Sequence, residues 1–123
     1  MKIFENNRIM RVLDKSISAY SYKHRVISNN IANVTTPGYK RKEVLFEEEL
    51  RDVLHDAALE GARSDDKHFH LGKIHIDQVE PKLRESKEST FNNGINNVDV
   101  DKEMVALADN TMKYNMALSF LKK

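Results

Sequence analysis

The feature that most constrains this chain is a stripe of apolar residues that runs with helical spacing through its first 34 positions. From Ile3 to Val34 the apolar positions step by three and four residues, with Asn6 and His24 as polar interruptions. A stripe this long is typical of a helix that lies along another helix. The sequence therefore predicts one long helix over residues 5–34, with these interface positions: Met10, Leu13, Ile17, Tyr20, Ile27, Ile31 and Val34.

Residues 98–123 repeat the pattern and predict a second long helix. Its interface positions are Met104, Leu107, Tyr114, Leu118 and Leu121. A second apolar row runs beside them, through Val105, Ala108, Met112, Met116 and Phe120. Together the two rows make an apolar face wider than one partner helix can cover.

The start of the second helix carries its own signals. Asp101 is the predicted N-cap, with Asp99 as the competing cap, and Glu103 would lie near the positive end of the helix dipole.

The lengths of the two helices exclude a compact globule. A helix over residues 5–33 would be roughly 45 Å long, whereas a globule of this chain length has a radius of gyration of about 14 Å. The second helix, roughly 31 Å long, cannot cover the whole first stripe. We therefore predict a single elongated subunit over residues 1–123. Its terminal helices are expected to be interfaces of an assembly, and to be partly disordered in dilute monomer.

The middle segment, residues 35–97, gives shorter signals. Helical spacing predicts a short helix from Phe46 to Ala57, with Gly61 as its stop. Partial alternation predicts one or two small strands within Phe69–Val79, and the polar Arg84–Asn97 is predicted to be an irregular connection. The expected fold is mainly α, with two long terminal helices in coiled-coil-like packing. The middle would add one short helix, small β elements and irregular loop.

Composition excludes several classes of function. The chain has no cysteine, which excludes disulfides, thiolate metal sites and cysteine nucleophiles. Lys and Arg number 20 against 19 Asp and Glu, so no overall charge draws it to nucleic acid or membrane. No apolar run follows the N-terminal lysine, so we expect no cleaved secretory signal.

No catalytic, cofactor or metal site is indicated. The four glycines form no phosphate-binding loop, and no nucleophile set has a recognised spacing, so an enzyme is not expected. His68, His70 and His75 lack metal-ligand spacing and are expected to be surface or interface residues. His24 is expected to be buried in an interface. The basic run Lys40–Lys42 is followed at once by glutamates, which favours a solvated turn or an inter-subunit salt bridge over nucleic-acid binding.

The first helix must end sharply. Pro37 pushes the preceding residue out of helical geometry and Gly38 can adopt positive φ, so the chain turns here. Two interpretations are open for Asn29, Asn30 and Asn33. Their amides would either cap the helix end in solvent or hydrogen-bond across a packed interface and fix its register.

Two segments carry a family resemblance. The string NNIANVTTPGYKRKEVLFEEEL, Asn29–Leu50, resembles the signature of the bacterial flagellar basal-body rod and hook family of axial proteins. The string NNVDVDKEMVALADNTMKYNMAL, Asn96–Leu118, is similar to the matching terminal region of that family's proximal rod subunits. The matching positions are Asn30, Ile31, Ala32, Asn33, Thr36, Pro37, Gly38, Tyr39, Asn97, Val98, Asp99, Asp101 and Glu103.

The resemblance implies a structural subunit of the proximal rod. Such subunits are exported unfolded through the flagellar type III apparatus without a cleaved signal. They polymerise with copies of themselves and other rod proteins into a helical tube at the periplasmic basal body, which transmits torque and leaves an export channel. It implies no cofactor, nucleic acid or small-molecule substrate, and it leads us to expect further helical turns after Lys123.

Three alternatives stay open on the sequence. Another rod subunit class of the same family would share these motifs. A peripheral membrane protein would use an amphipathic N-terminal helix, with these basic residues facing lipid: Arg8, Arg11, Lys15, Lys23 and Arg25. An adaptor would use the same heptads to bind one partner.

Overall fold

The computed structural model describes residues 2–62, 76–87 and 96–122. The helices are α1 (Lys2–Ala32), α2 (Glu47–Ala62) and α3 (Val100–Lys122). Two short strands, β1 (Lys42–Leu45) and β2 (Lys82–Glu85), and a 3₁₀ turn at Ile76–Gln78 complete the described elements. None of these helices is long and apolar enough to span a membrane.

The long helices α1 and α3 pack along one another. On α3 the buried positions are Glu103, Asn110 and Ala117, each seven residues after the last. The amide nitrogen Nδ2 of Asn110 donates to the Tyr20 carbonyl of α1 over 2.8 Å. The prediction of a mainly helical fold with paired terminal helices is confirmed, but polar and small residues rather than large apolar ones occupy the most buried line of α3.

The remaining elements form an arm that packs against another face of α1. We define the arm as residues 42–62 and 76–87. Its small core brings Phe46, Val53 and Val79 against Ala19 of α1, and all four side chains are at most 8% exposed. The arm thus folds onto the helix pair rather than standing apart from it.

The strands lie outside the segment predicted to contain them. β1 and β2 pair antiparallel in a register that sets Lys42 opposite Glu85 and Leu45 opposite Lys82. The predicted strands at 69–79 fall partly outside the described residues, and Ile76–Gln78 is a 3₁₀ turn instead. The assignment of Arg84 to an irregular connection was wrong for β2. A solvated two-stranded ribbon is held by charged cross-strand pairs, such as Arg84 with Glu43, and so lacks the apolar alternation that identifies a strand.

Two helix boundaries also differ from prediction. Gly61 does not stop α2, which continues to Ala62. A glycine inside a helix lowers helix stability by only about 1 kcal/mol, and leucine and glutamate, which precede it, are residue types with high helix propensity. The cap of α3 is Asp99 rather than Asp101, because its Oδ1 accepts from the backbone N–H groups of Asp101 and Lys102 at 3.1 and 3.4 Å.

Candidate functional site

A polar cluster, partly buried, joins the end of α1 to the start of α3. We call this cluster the clasp, and its members are Asn30, Tyr39, Arg41, Glu43, Asn96, Asn97 and Glu103. They come from α1, the turn after it, β1, the segment before α3, and α3 itself.

Asn30 lies at the centre of the clasp and is fully buried. Its Nδ2 donates to the Lys42 carbonyl over 2.8 Å and to Glu103 Oε2 over 3.3 Å. Its Oδ1 accepts from the Lys42 N–H at 3.0 Å and from the Tyr39 hydroxyl at 2.8 Å. The amide therefore links α1 to β1 and to α3, which is the interface interpretation of this asparagine.

Asn33 instead caps the end of α1, which is the other interpretation of these amides. Its Nδ2 donates to the Asn29 carbonyl over 2.7 Å, and its Oδ1 accepts from the Thr36 hydroxyl at 3.1 Å. Asn29 donates in turn to the Tyr39 hydroxyl over 3.1 Å. Burial raises the pKa of Tyr39 above its usual value, so this phenol keeps its proton and can donate to Asn30.

Glu103 brings a carboxylate into the packed helix pair. Its side chain is 1% exposed, and Arg41 Nε donates to its Oε1 over 2.6 Å. Arg41 also pairs with Glu43, which pairs on its other oxygen with Arg84 over 2.6 Å. Burial disfavours the charged guanidinium, but the hydrogen bonds to Glu103 and Glu43 outweigh it and raise the pKa of Arg41. The hydrogen bond from Arg84 lowers the pKa of Glu43, although burial opposes it.

Asn96 and Asn97 fix the chain before α3. The Nδ2 of Asn96 donates to the carbonyls of Asn33, Val34 and Thr36 at 2.9, 2.9 and 3.0 Å, and these are carbonyls at and beyond the end of α1. The Oδ1 of Asn97 accepts from the Arg41 N–H at 2.6 Å. The two asparagines therefore close the helix exit from a part of the chain about sixty residues away.

The clasp gathers several of the predicted motif residues and leaves others outside. Asn30, Tyr39, Asn97 and Glu103 belong to it. The exposed Thr36, Pro37 and Gly38 shape the turn, where Gly38 has φ of 74°. Val98 is buried, Asp99 caps α3, Ile31 is half-buried, and Ala32 and Asp101 are exposed.

Sequence reasoning missed three members of the clasp. Arg41 was expected to be solvated or to pair between subunits, yet it is half-buried and pairs within the chain. Glu43 and Asn96 were not singled out. The sequence offers no local signal for these three residues, because only the fold shows that Glu103 is buried and that this carboxylate therefore requires a cation beside it.

The predicted interface positions are only partly covered within one chain. Ile27 is buried, and the half-buried positions are Leu13, Ile17, Tyr20, Ile31, Val34, Leu107, Tyr114 and Leu118. Met10, Met104 and Leu121 are exposed, at 48%, 52% and 38%. Apolar surface on both helices is thus left open to solvent.

The second apolar row of α3 is the most exposed. Val105, Met112, Met116 and Phe120 have exposures of 70%, 66%, 57% and 60%. We call these residues the outer row. They lie on the side of α3 away from Glu103, Asn110 and Ala117, so this helix has apolar surface on the side that faces solvent as well as a packed side.

The histidines do not form a metal site in the described part of the chain. No group of three or more metal-ligating side chains occurs among the residues that the structure describes. His68, His70 and His75 lie outside those residues. His24, which is expected to be buried in an interface, is exposed in the single chain.

Comparison with known proteins places these features in a family. A family model described as flagella basal body rod protein matches residues 18–40, which include Asn30 and Tyr39 of the clasp. The flagellar basal body rod protein FlgB of Borreliella burgdorferi is 38% identical over 104 residues, covering 81% of this chain and 77% of that protein. FlgB of Bacillus subtilis is 35% identical, covering 83% and 75%, and FlgB of Borrelia hermsii is 37% identical, covering 94% and 87%.

The chain belongs to the FlgB family of flagellar basal-body rod proteins. The resemblance stated from the two motifs is thereby confirmed. Within this rod-family chain, the segment matched by the family model is the one that ends α1, turns at Pro37 and enters the clasp.

Proposed function

We propose that this chain is a structural, non-enzymatic subunit of the proximal flagellar rod. It self-assembles with other axial proteins into a helical tube that transmits torque and carries an export channel. The proposal includes export through the flagellar type III apparatus without a cleaved signal and a final location in the periplasmic basal body. Its support is the FlgB name carried by the relatives and one observation, the solvent-exposed outer row of α3.

The outer row supports assembly because large apolar side chains are costly to leave in water. Fully burying a methionine or phenylalanine side chain contributes roughly 1.5–3 kcal/mol. Met112 and Phe120 are at least 60% exposed in the single chain, so most of that free energy is unrealised until another molecule covers them. A subunit of a tube gains this burial from its neighbours.

The clasp supports a mechanical role for the same subunit. It ties α1, β1 and α3 together through Asn30, Arg41 and Glu103. Because these bonds fix where the two long helices meet, both helices present a defined surface to neighbours. A tube that transmits torque requires such a fixed relation between its parts.

The membrane alternative is not favoured. The basic residues of α1 that would face lipid are partly used within the chain: Arg11 pairs with Asp77 at 3.0 Å and Lys15 with Glu80 at 2.7 Å. Both partners belong to the arm. Lipid would have to compete with these intramolecular ion pairs.

The test is complementation of a strain that lacks this gene, scored by swimming and by rods seen in isolated basal bodies. Met112→Asp places a charge in the outer row and is expected to abolish both. His55→Asp is the matched control, because it adds the same charge at an exposed position of α2 and should swim.

Two further variants address the half-buried stripes. Leu13→Asp and Leu118→Asp each place an unpaired charge in a packed helix surface and should stop swimming. Normal swimming by both variants would refute the assignment of these stripes to an interface. A deletion strain that swims without the gene would refute the rod function itself.

A further inference from the structure

Helix α3 has two sides that can pack against α1. We call its buried positions, Glu103, Asn110 and Ala117, the packed line. Three large side chains flank this line and are half-buried: Leu107, Tyr114 and Leu118. The outer row, on the other side of the same helix, is also apolar and is exposed. Because apolar attraction has no direction, burial alone does not determine which of the two sides faces α1.

We propose that Glu103 and Asn110 are positioning residues that select the side of α3 that packs on α1. A hydrogen bond, unlike an apolar contact, requires its partner at one distance and one angle. By holding the packed line against α1, these two residues keep the outer row free. The inference concerns a single chain and does not depend on the proposed function.

Glu103 fixes the side at the start of α3. Its Oε1 accepts from Arg41 Nε at 2.6 Å, and its Oε2 accepts from Asn30 Nδ2 at 3.3 Å. If α3 turned by two residue positions, which is about 200° around the helix, Val105 would take this place. A valine side chain has no acceptor to offer the guanidinium, so the turned helix loses this ion pair.

Asn110 repeats the selection two turns further along α3. Its Nδ2 donates to the Tyr20 carbonyl over 2.8 Å, whereas Met112, which would stand here in the turned helix, has no donor. The Oδ1 of Asn110 is buried and accepts no hydrogen bond from the residues that the structure describes. A buried acceptor of this kind lowers stability. Asn110 therefore resembles the buried asparagines of coiled coils, which specify an alignment at some cost in stability.

The sequence has no cysteine, so pairs of introduced cysteines can report which side of α3 faces α1. Ser21 of α1 and Thr111 of α3 are exposed and line one groove between the helices. A short bis-maleimide should therefore join Ser21→Cys to Thr111→Cys within one chain. Met112→Cys lies about 100° further around α3 and should join Ser21→Cys only when the helix has turned.

The two cysteine pairs are measured in parallel on the dilute purified chain. Cross-linked peptides from the monomer band are quantified by mass spectrometry, and the readout is the yield with Met112→Cys divided by the yield with Thr111→Cys. Chains whose helices have separated would give both products alike, so this ratio distinguishes turning of α3 from its release.

Arg41→Met tests the role of Glu103. The variant leaves the buried carboxylate without its cation, a state that a turned helix avoids by moving Glu103 into water, so the ratio should rise roughly tenfold or more. Arg84→Met is the matched control, because it removes a guanidinium from Glu43 without touching Glu103, and it should leave the ratio unchanged. Arg41→Met/Glu103→Leu strands no charge and should restore the original ratio.

Asn110→Asp tests the second residue without changing the size of the side chain. It replaces the donor with a carboxylate that faces the Tyr20 carbonyl, so the ratio should rise here as well. Asn115→Asp makes the same chemical change at an exposed position of α3 and should have no effect on the ratio.

Three results would count against the proposal. An unchanged ratio in both Arg41→Met and Asn110→Asp would show that the chain entering α3 sets its side. Equal yields of the two products in both variants would show that α3 separates from α1 rather than turning, as expected of contacts that only stabilise. A rise in one variant alone would leave the selection to that residue and overturn it for the other.

Discussion

Removal of the Arg41 side chain is the sharpest test of the clasp. Glu103 is 1% exposed and has two described hydrogen-bond donors, Arg41 Nε at 2.6 Å and Asn30 Nδ2 at 3.3 Å. Arg41→Met keeps the aliphatic stem but removes the cation that compensates this carboxylate. Stranding one member of a buried ion pair costs about 3–5 kcal/mol, so we expect a loss of about 3 kcal/mol.

Arg84→Met provides the matched comparison. Arg84 pairs with Glu43 at a similar distance, 2.6 Å, but its side chain is 55% exposed and that of Glu43 is 25% exposed. An exposed pair of this kind contributes about 1 kcal/mol or less. Both variants remove a guanidinium that pairs with Glu43, but only Arg41→Met also leaves the buried Glu103 without its cation, so the additional loss in Arg41→Met reports that stranded carboxylate.

Native-state hydrogen exchange is the suitable assay, since it reports local opening even where helix ends fray. The amide protons of Lys42 and Glu103 are bonded within or beside the clasp. A loss of about 3 kcal/mol corresponds to exchange at these amides roughly a hundredfold faster in Arg41→Met. The double variant Arg41→Met/Glu103→Leu removes both charges and should recover most of the protection.

Two results would refute this reasoning. Equal effects of Arg41→Met and Arg84→Met would show that burial of Glu103 does not set the cost. A double variant no more protected than Arg41→Met would show that the stranded carboxylate is not the cause of the loss.

Three further outcomes are expected. Gly38→Ala should lower the free energy of unfolding in urea by about 1 kcal/mol, because the φ of 74° strains an alanine backbone. Nothing lies within 4 Å of the added Cβ, so no steric clash adds to this cost, and Gly38→Asn should be nearly neutral. The hydrogen bond from Arg84 lowers the pKa of Glu43 below its ordinary value of 4.5. The ionised carboxylate therefore stabilises the fold above pH 4.5, and this stabilisation is lost as the pH falls through the lowered pKa. The midpoint of unfolding should drop on acidification, and it should drop less in Glu43→Gln. Circular dichroism of dilute monomer should show less helix than α1 and α3 would give if fully formed, and a fully helical monomer would contradict the assembly argument.

The long-range architecture was readable from periodicity, but the side of each helix that packs internally was not. The spacing of apolar residues identified α1 and α3 almost to their ends. On α3, however, Glu103, Asn110 and Ala117 face the packed side while Met112 and Phe120 face solvent. A single sequence cannot show which apolar residues pack within the chain and which pack against neighbours, because both kinds of contact favour apolar side chains.

The clasp escaped prediction for a different reason. Its bonds join residues far apart in the chain, such as Arg41 with Glu103 and Asn30 with Lys42. Each partner alone resembles an ordinary surface residue, and only the fold shows that a glutamate and an asparagine are buried together. The turn at Pro37 and Gly38 was predictable, since local backbone sterics dictate it.

The bonds from Asn96 to the end of α1 have a consequence in time. A ribosome releases the N-terminus first, so α1 emerges before the Asn96 amide that later bridges the carbonyls of Asn33, Val34 and Thr36. That donor is synthesised some sixty residues afterwards. The nascent polypeptide therefore cannot complete its first helix exit early, and closure of this joint waits until Asn96 has been made.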